Sequence, residues 1–266
     1  MSKKIILRVV KIGGNIIDDN LRLDGFLTNF AALPGPKILV HGGGKTATQL
    51  AEKLGIPQTM IEGCRLTDAE TLRIAVMVYG GLLNKQIVAK LQALNCAALG
   101  VCGADGDLLR AHKRKPVPID FGFVGDIETV NAPLIDRWIG QGLTPVVAPL
   151  SHDGQGQLLN TNADTIAQEI AQAMCQAFQV ELIFAFEKSG VLLDINDPDS
   201  RIEVLDHERY MALKLQGVIT DGMIPKLDNA FSALKKGVRK FIVGQAENLM
   251  ALVEGRDGTS VVWEEQ

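Results

Sequence analysis

Two apolar runs in this chain each stop at glycines: Val9-Val10-Lys11-Ile12-Gly13-Gly14 and Ile38-Leu39-Val40-His41-Gly42-Gly43-Gly44-Lys45. A strand that ends in consecutive glycines exposes backbone N–H groups that no side chain shields, and a helix starting behind them adds a partial positive charge. One such turn suits one anion. Two turns, the first carrying a lysine, suit two anionic groups brought together. Lys11 falls where the carboxyl end of a strand meets its turn, the ligand-facing edge of an open α/β sheet.

The remaining pattern agrees with that class. At 266 residues the chain can form one large α/β domain or two lobes sharing a sheet, without disulfide or metal staples. Strand and helix alternate, which predicts a mainly parallel sheet covered on both faces. Strands are expected at Ile5–Val10, Lys37–Val40, Ala97–Val101, Thr144–Ala148, Glu181–Phe186, Phe241–Val243 and Ser260–Trp263. Helices are expected at Leu21–Ala32, Lys45–Leu54, Ala163–Gln179, Leu134–Gln141 and His207–Gln216, and from Pro225 through Lys236. Thr59–Arg65 reads as a short hairpin, and Leu109–Val130 as a β-rich excursion over one end of the sheet. Thr67 and Glu70 have the spacing of a capping box, with Asp68 as a further cap, before a long helix to about Asn95. Gly80-Gly81 weakens the middle of that helix and predicts close packing there.

Composition excludes several classes. With 22% charged residues and a net charge of −4, there is no electrostatic footprint for nucleic acid. Cys64, Cys96, Cys102 and Cys175 have no CxxC spacing and read as reduced thiols rather than a metal site. Arg8 interrupts the first apolar run too early for a signal peptide, and apolar stretches such as Ile74–Tyr79 fall short of the ~20 residues of a membrane span. A cytoplasmic protein without membrane attachment is expected.

Two familiar phosphate motifs fit Leu39–Thr46 poorly. A P-loop needs a glycine where this chain has Leu39. Gly42, Gly44 and Ala47 match a dinucleotide fingerprint, with Glu62 at about the ribose-binding separation, but that reading leaves Lys11 and the later segments without a role. Taken singly, the other candidates have plain explanations. Lys11 could be a surface lysine, and Arg65 a solvated charge or a bidentate grip on a carboxylate. Asn160-Thr161-Asn162-Ala163-Asp164 could be a helix cap, and Thr220-Asp221-Gly222-Met223-Ile224-Pro225-Lys226 a turn. Their order along one chain carries the argument.

Together with Lys11-Ile12-Gly13-Gly14, His41-Gly42-Gly43-Gly44 and Gly63-Cys64-Arg65-Leu66-Thr67-Asp68, these segments resemble the amino acid kinase family over nearly the whole chain. The resemblance implies a three-layer αβα sandwich around a mainly parallel sheet. It further implies a single domain over residues 1–266, with an acyl-amino-acid lobe to about residue 179 and a nucleotide lobe from about 180 to 266. The Arg65 and Asn160–Asp164 segments point to a member that phosphorylates the γ-carboxylate of N-acetyl-L-glutamate, a step of arginine biosynthesis. N-succinyl-L-glutamate is the nearest alternative acceptor; a binding regulator that kept the fold without turnover is the non-catalytic one.

By that resemblance, Lys11 and Lys226 stabilise the transferring phosphoryl group, and Asp164 keeps both ammonium groups charged and aimed. Gly14 and Gly44 offer backbone N–H groups to the phosphoryl group. Gly43, Gly44, Arg65 and Asn160 hold the acyl-glutamate, Arg65 through its α-carboxylate. The nucleotide falls to Glu187, Lys188, Ser189, Gly190, Val191 and Leu192, and to Val218, Ile219 and Thr220. Here the chain departs from the family's Asp-Val-x-Gly turn, reading Phe186-Glu187-Lys188-Ser189-Gly190-Val191. ATP is the implied donor, with Mg²⁺ carried on its phosphates and no metal held by protein ligands. His112-Lys113-Arg114-Lys115 reads as a solvated hairpin tip or as a phosphate-seeking lid. Arginine-inhibited, hexameric members of that family carry an extra helix before the first strand, where this sequence has only a few residues, so the resemblance implies a homodimer through the Ala69–Asn95 helix without arginine feedback.

Overall fold

The computed structural model describes residues 4–61, 64–194, 196–219 and 223–263. The first half of the chain forms β1 (Ile6–Ile12), α1 (Gly14–Ile17), α2 (Asn20–Ala32), β2 (Lys37–His41) and α3 (Gly44–Lys53). A small hairpin follows, β3 (Met60–Ile61) with β4 (Cys64–Arg65). One helical run then spans Ala69–Ala93: α4 (Ala69–Ala75), a π-helical segment (Val76–Leu83) and α5 (Asn84–Ala93). Next come β5 (Ala98–Val101), β6 (Leu109–Lys113), β7 (Gly125–Val130), α6 (Ala132–Gly140), β8 (Thr144–Val147), β9 (Leu150–His152) and β10 (Leu158–Asn160). The remainder comprises α7 (Ala163–Met174), β11 (Gln179–Phe186), β12 (Val204–Leu205), α8 (His207–Leu215), α9 (Ile224–Lys235), β13 (Lys240–Gln245), α10 (Leu249–Glu254) and β14 (Thr259–Val261).

Eight strands make the central sheet in the order β12-β14-β13-β11-β1-β2-β8-β5. All its pairings are parallel except β13 with β14. Side chains on a strand alternate between faces, and the two cores follow that period. Leu7 and Val9 of β1 join Ile38, Val40, Val180, Leu182 and Phe184 in one cluster with α7 and α9. Val10 and Ile12 join Leu39, Ile183 and Ala185 in the other, with α2 and α5. Helices cover both faces, giving the expected three layers.

A second sheet, β10-β9-β6-β7, takes β6 and β7 from the expected Leu109–Val130 excursion and adds β9 and β10, which were not expected. Its β6–β7 connection reaches back to the β4 region: Thr67 N–H donates to Phe121 O, and Phe123 N–H to Thr67 O. The basic tip is paired within its own hairpin, with Arg114 on Asp126, His112 on Glu128 and Lys113 over the Phe123 ring.

Three local expectations change. Thr67 is buried and its Oγ1 donates to Arg65 O, so Asp68 alone caps α4, accepting from Thr71 N–H at 2.8 Å. The glycine pair lies in the π-helical segment, where a Cβ on Gly80 would sit 3.4 Å from Leu150 Cδ1 while Gly81 faces open space. The Ala69–Ala93 run has the length and apolarity of a membrane span, longer than the apolar stretches read from sequence. Its Ile74, Val78, Leu83, Ile87 and Leu91 are packed into the core, as in a core helix.

Candidate active site

Lys11 is the penultimate residue of β1, flanked in register by Val40 of β2 and Phe184 of β11. Strand parity puts it on the face of Leu7 and Val9, toward α7 and α9. Its Nζ lies 2.7 Å from Asp164 Oδ1 and 5.9 Å from the centroid of the Phe184 ring. Asp164 stands in the first turn of α7, whose start is fixed by Asn162 accepting the Asp164 N–H at 2.7 Å. From the first turn of α9, just after Pro225, Lys226 Nζ donates to Asp164 Oδ2 at 2.8 Å. One carboxylate thus joins two ammonium groups from opposite ends of the chain. Burial by itself would raise the Asp164 carboxyl, but the charges of Lys11 and Lys226 outweigh it and hold the pKa at about 2.

The two glycine turns lie side by side. Gly42 N–H donates to Ile12 O at 3.1 Å, and a Cβ on Gly14 would sit 3.9 Å from Gly44 N. Gly43 has φ +145° and no room for a side chain, since a Cβ would lie 2.3 Å from Leu83 Cδ1. Only glycine meets both conditions. Gly44 then opens the ten-residue α3, whose first N–H groups have no partner within the helix.

Arg65 is buried, and its guanidinium is held by Gln58 Oε1, by Gly44 O at 2.8 Å and by Thr48 Oγ1 at 2.9 Å. Two of those acceptors belong to α3, so the helix that presents Gly44 also aims Arg65. Lys11, Gly13, Gly14, Asn15, Gly44, Lys45, Thr48, Gln49, Glu52, Met60, Arg65, Phe186, Glu187 and Lys226 line one cleft of about 560 Å³. Four cationic side chains face it against two carboxylates, an environment for anions.

The cleft therefore gathers Lys11, Gly14, Gly44, Arg65, Glu187 and Lys226 from the residues expected on sequence, with Asp164 bound behind the two lysines. Gly43 supports it from beneath, packed on Leu83 and Tyr79. Asn160 does not line it; its Nδ2 donates to Thr67 Oγ1 at 3.0 Å. Of the expected nucleotide residues from Glu187 to Ile219, all among the described ones, only Glu187 reaches the cleft, where Oε1 accepts from Asn15 Nδ2 at 2.8 Å. Lys188, Ser189 and Gly190 form the following turn, with Gly190 at φ +156° against Thr259. Val191 N–H donates to Thr259 Oγ1, and the Val191 and Ile219 side chains belong to the core, with Val218 packed on it. Leu192 bridges to Arg201. Thr220, Asp221, Gly222, Gly63 and Glu62 lie outside the described residues.

Sequence reading missed Asn15, Lys45, Thr48, Gln49, Glu52 and Gln58. Part of the signal was present: Lys45, Thr48, Gln49 and Glu52 recur at the spacing of one helical face, directly behind the glycine turn.

The profile of the Amino acid kinase family matches residues 7–245. The chain is 53% identical over 249 residues to the acetylglutamate kinase of Cytophaga hutchinsonii, covering 93% of this chain and 94% of that protein. It is 52% identical to the acetylglutamate kinase of Parabacteroides distasonis, covering 93% and 96% respectively. Among solved structures, N-acetylglutamate synthase from Neisseria gonorrhoeae, complexed with coenzyme A and N-acetyl-glutamate, superimposes with a TM-score of 0.82 at 20% identity. That match covers 98% of this chain and 60% of the synthase chain, and at such identity it speaks for the fold alone. With glycine turns, paired lysines and profile match in agreement, the chain belongs to the amino acid kinase family.

Proposed function

We propose that this protein transfers the γ-phosphoryl group of ATP to the γ-carboxylate of N-acetyl-L-glutamate, the acyl-phosphate-forming step of arginine biosynthesis. The observation that carries the reading is the convergence of Lys11 and Lys226 on Asp164 beside the two glycine turns. The acceptor carboxylate is already ionised at pH 7, so no general base is required. One carboxylate oxygen attacks the γ-phosphorus, the bond to the bridging oxygen breaks, and ADP leaves. Charge passes over the three equatorial phosphoryl oxygens, so the protein's work is neutralisation and alignment. Lys11 and Lys226 take that charge from the Asp164 side, and the Gly14 and Gly44 N–H groups from the turn side. Gly43 and Gly44 shape the acceptor end. Arg65 binds the α-carboxylate with the N–H groups left over from its three protein acceptors. Asn160 acts on the acyl-glutamate side through its tie to Thr67.

The acyl-glutamate lobe runs to about residue 179 and the nucleotide lobe from about 180, the β1–β11 pairing joining them. Glu187 and the turn Lys188–Leu192, with Val218 to Thr220, form the nucleotide side. Mg²⁺ arrives on the nucleotide oxygens. Both Asp164 oxygens face lysine ammonium groups, and no cluster of three or more His, Cys, Asp or Glu able to hold a metal occurs among the described residues. These residues do not suit a protein-held divalent ion. ATP as donor implies a cytoplasmic protein. The Ala69–Ala93 run leaves Met77 and Leu82 about half exposed, which supports a homodimer through that helix; light scattering at twice the monomer mass is expected.

The test is a hydroxamate trap for acyl phosphate with purified protein, ATP, Mg²⁺ and N-acetyl-L-glutamate, N-succinyl-L-glutamate or L-glutamate in parallel. Product with the acetyl compound in clear preference supports the proposal. Preference for the succinyl compound reassigns the acyl group, and binding without product from any acceptor selects the regulator.

A further inference from the structure

We infer that His41, fixed by Asn84 as the neutral Nδ1-protonated tautomer, is a positioning residue that turns the Gly42–Gly43 peptide so that its N–H faces the anionic substrates. The inference deepens the phosphoryl-transfer reading and rests on it. His41 closes β2, is fully buried and does not line the cleft.

Four contacts agree on one arrangement of protons. His41 Nδ1 lies 2.8 Å from Gly42 O, a carbonyl that can only accept, so Nδ1 carries the hydrogen. His41 Nε2 lies 3.2 Å from Asn84 Nδ2. The orientation of that amide follows from its other neighbours. Its Nδ2 donates to Val146 O at 2.9 Å, and its Oδ1 accepts from the Lys85 ammonium at 3.1 Å. The amide nitrogen therefore faces the ring, and Nε2 is the acceptor. Burial, as the largest influence, lowers the imidazole pKa to about 4, which agrees with a neutral ring at pH 7.

The consequence is mechanical. In a trans peptide the C=O and N–H point in opposite directions. Holding Gly42 O against the buried ring sends the Gly43 N–H away from that ring, and the next residue, Gly44, lines the cleft. Gly43, with φ +145°, belongs to the glycine class that could turn this peptide over. A reversed peptide would aim a carbonyl oxygen at the anions. The π-helical segment serves the same end, because it sets Leu83 against Gly43 and delivers Asn84 onto His41 in successive residues.

Two variants and one measurement on the unaltered protein test this. His41→Phe keeps the ring and loses the donor, whereas His41→Asn places an N–H near the position of Nδ1. With ATP and N-acetyl-L-glutamate, His41→Phe is expected to lower kcat by about 10- to 100-fold, with KM within about threefold, and His41→Asn to recover most of the loss. Unchanged kcat in His41→Phe, or equal losses in both variants that track their melting temperatures, would overturn the proposal. Long-range ¹H–¹⁵N spectra of histidine-labelled protein at pH 7 should show the Nδ1–H tautomer for His41. An Nε2–H tautomer or an imidazolium there overturns it even if neither variant folds. A wild-type protein that phosphorylates no acyl-glutamate would sink the assigned reaction instead. The positioning role would then be read from the Gly43 amide resonance, which should move on adding N-acetyl-L-glutamate together with a non-hydrolysable ATP analogue in wild type and not in His41→Phe.

Discussion

Replacing Asp164 by asparagine removes one negative charge from between two ammonium groups while keeping the size and shape of the side chain. The wild-type carboxylate has Lys11 at 2.7 Å and Lys226 at 2.8 Å, and its pKa falls from 3.8 to about 2 although burial opposes the fall. Asparagine stands in for the protonated acid, so linkage gives the cost of the exchange at neutral pH as on the order of 2 kcal/mol. For a chain of this size that is a loss of about 4–8 °C in Tm. Because the folded pKa lies below the unfolded one, this stabilisation is complete above about pH 5 and is lost as the pH falls toward 2. Urea titrations followed by circular dichroism at pH 7, 4 and 3 should therefore show a gap between wild type and Asp164→Asn that is nearly constant to about pH 4 and roughly halved near pH 3. The same variant should lose about 10²–10³ in kcat, since two unneutralised lysines repel each other and no longer share one aim. A gap below about 0.5 kcal/mol at pH 7, the level of an ordinary surface substitution, would refute the electrostatic reasoning. A kcat within about threefold of wild type would refute the assigned role.

Lys226→Ala should lower kcat by about 10²–10³, with a Tm loss smaller than that of Asp164→Asn because Lys11 still pairs with the carboxylate; a loss confined to KM would remove Lys226 from the proposed phosphoryl role. Arg65→Lys should raise KM for N-acetyl-L-glutamate by at least about tenfold, since an ammonium cannot satisfy Gln58, Gly44 O and Thr48 while also pairing with a carboxylate. Initial-rate kinetics with varied acceptor would show it. Gly43→Ala should cost about 1–3 kcal/mol in a denaturant titration, because alanine meets both φ +145° and the Leu83 side chain.

The strand–glycine turns and the alternating pattern were legible because they are backbone requirements written in residue type. Boundaries were less so. β1 continues through Lys11 and Ile12 because β2 and β11 both offer pairing partners that far, a tertiary fact. β9 and β10, three residues each, and the six-residue α10 are too short for a period to show. Thr67 had the spacing of a capping box, yet the β6–β7 connection claims its backbone and Asp68 caps instead. The expected nucleotide residues came from two segments matched by family resemblance, and packing divides them. Glu187 reaches the cleft, whereas Val191 and Ile219 enter the core.

Why motifs that are individually weak meet at one place follows from the sheet order. From β1 the chain moves to β2 on one side and returns much later to β11 on the other, so β1 sits where the winding reverses. Such a reversal leaves a crevice at the carboxyl ends of the strands. The residue able to serve that crevice from β1 must be near the strand's end and must share the parity of the face that carries α7 and α9. Lys11 meets both conditions; Val10 and Ile12 turn into the opposite core. Moving the lysine by one position would leave the turn, its charge and its motif spacing almost unaltered, and would point the ammonium away from Asp164. The sheet's topology makes the crevice, and the parity of a single residue decides whether it is charged.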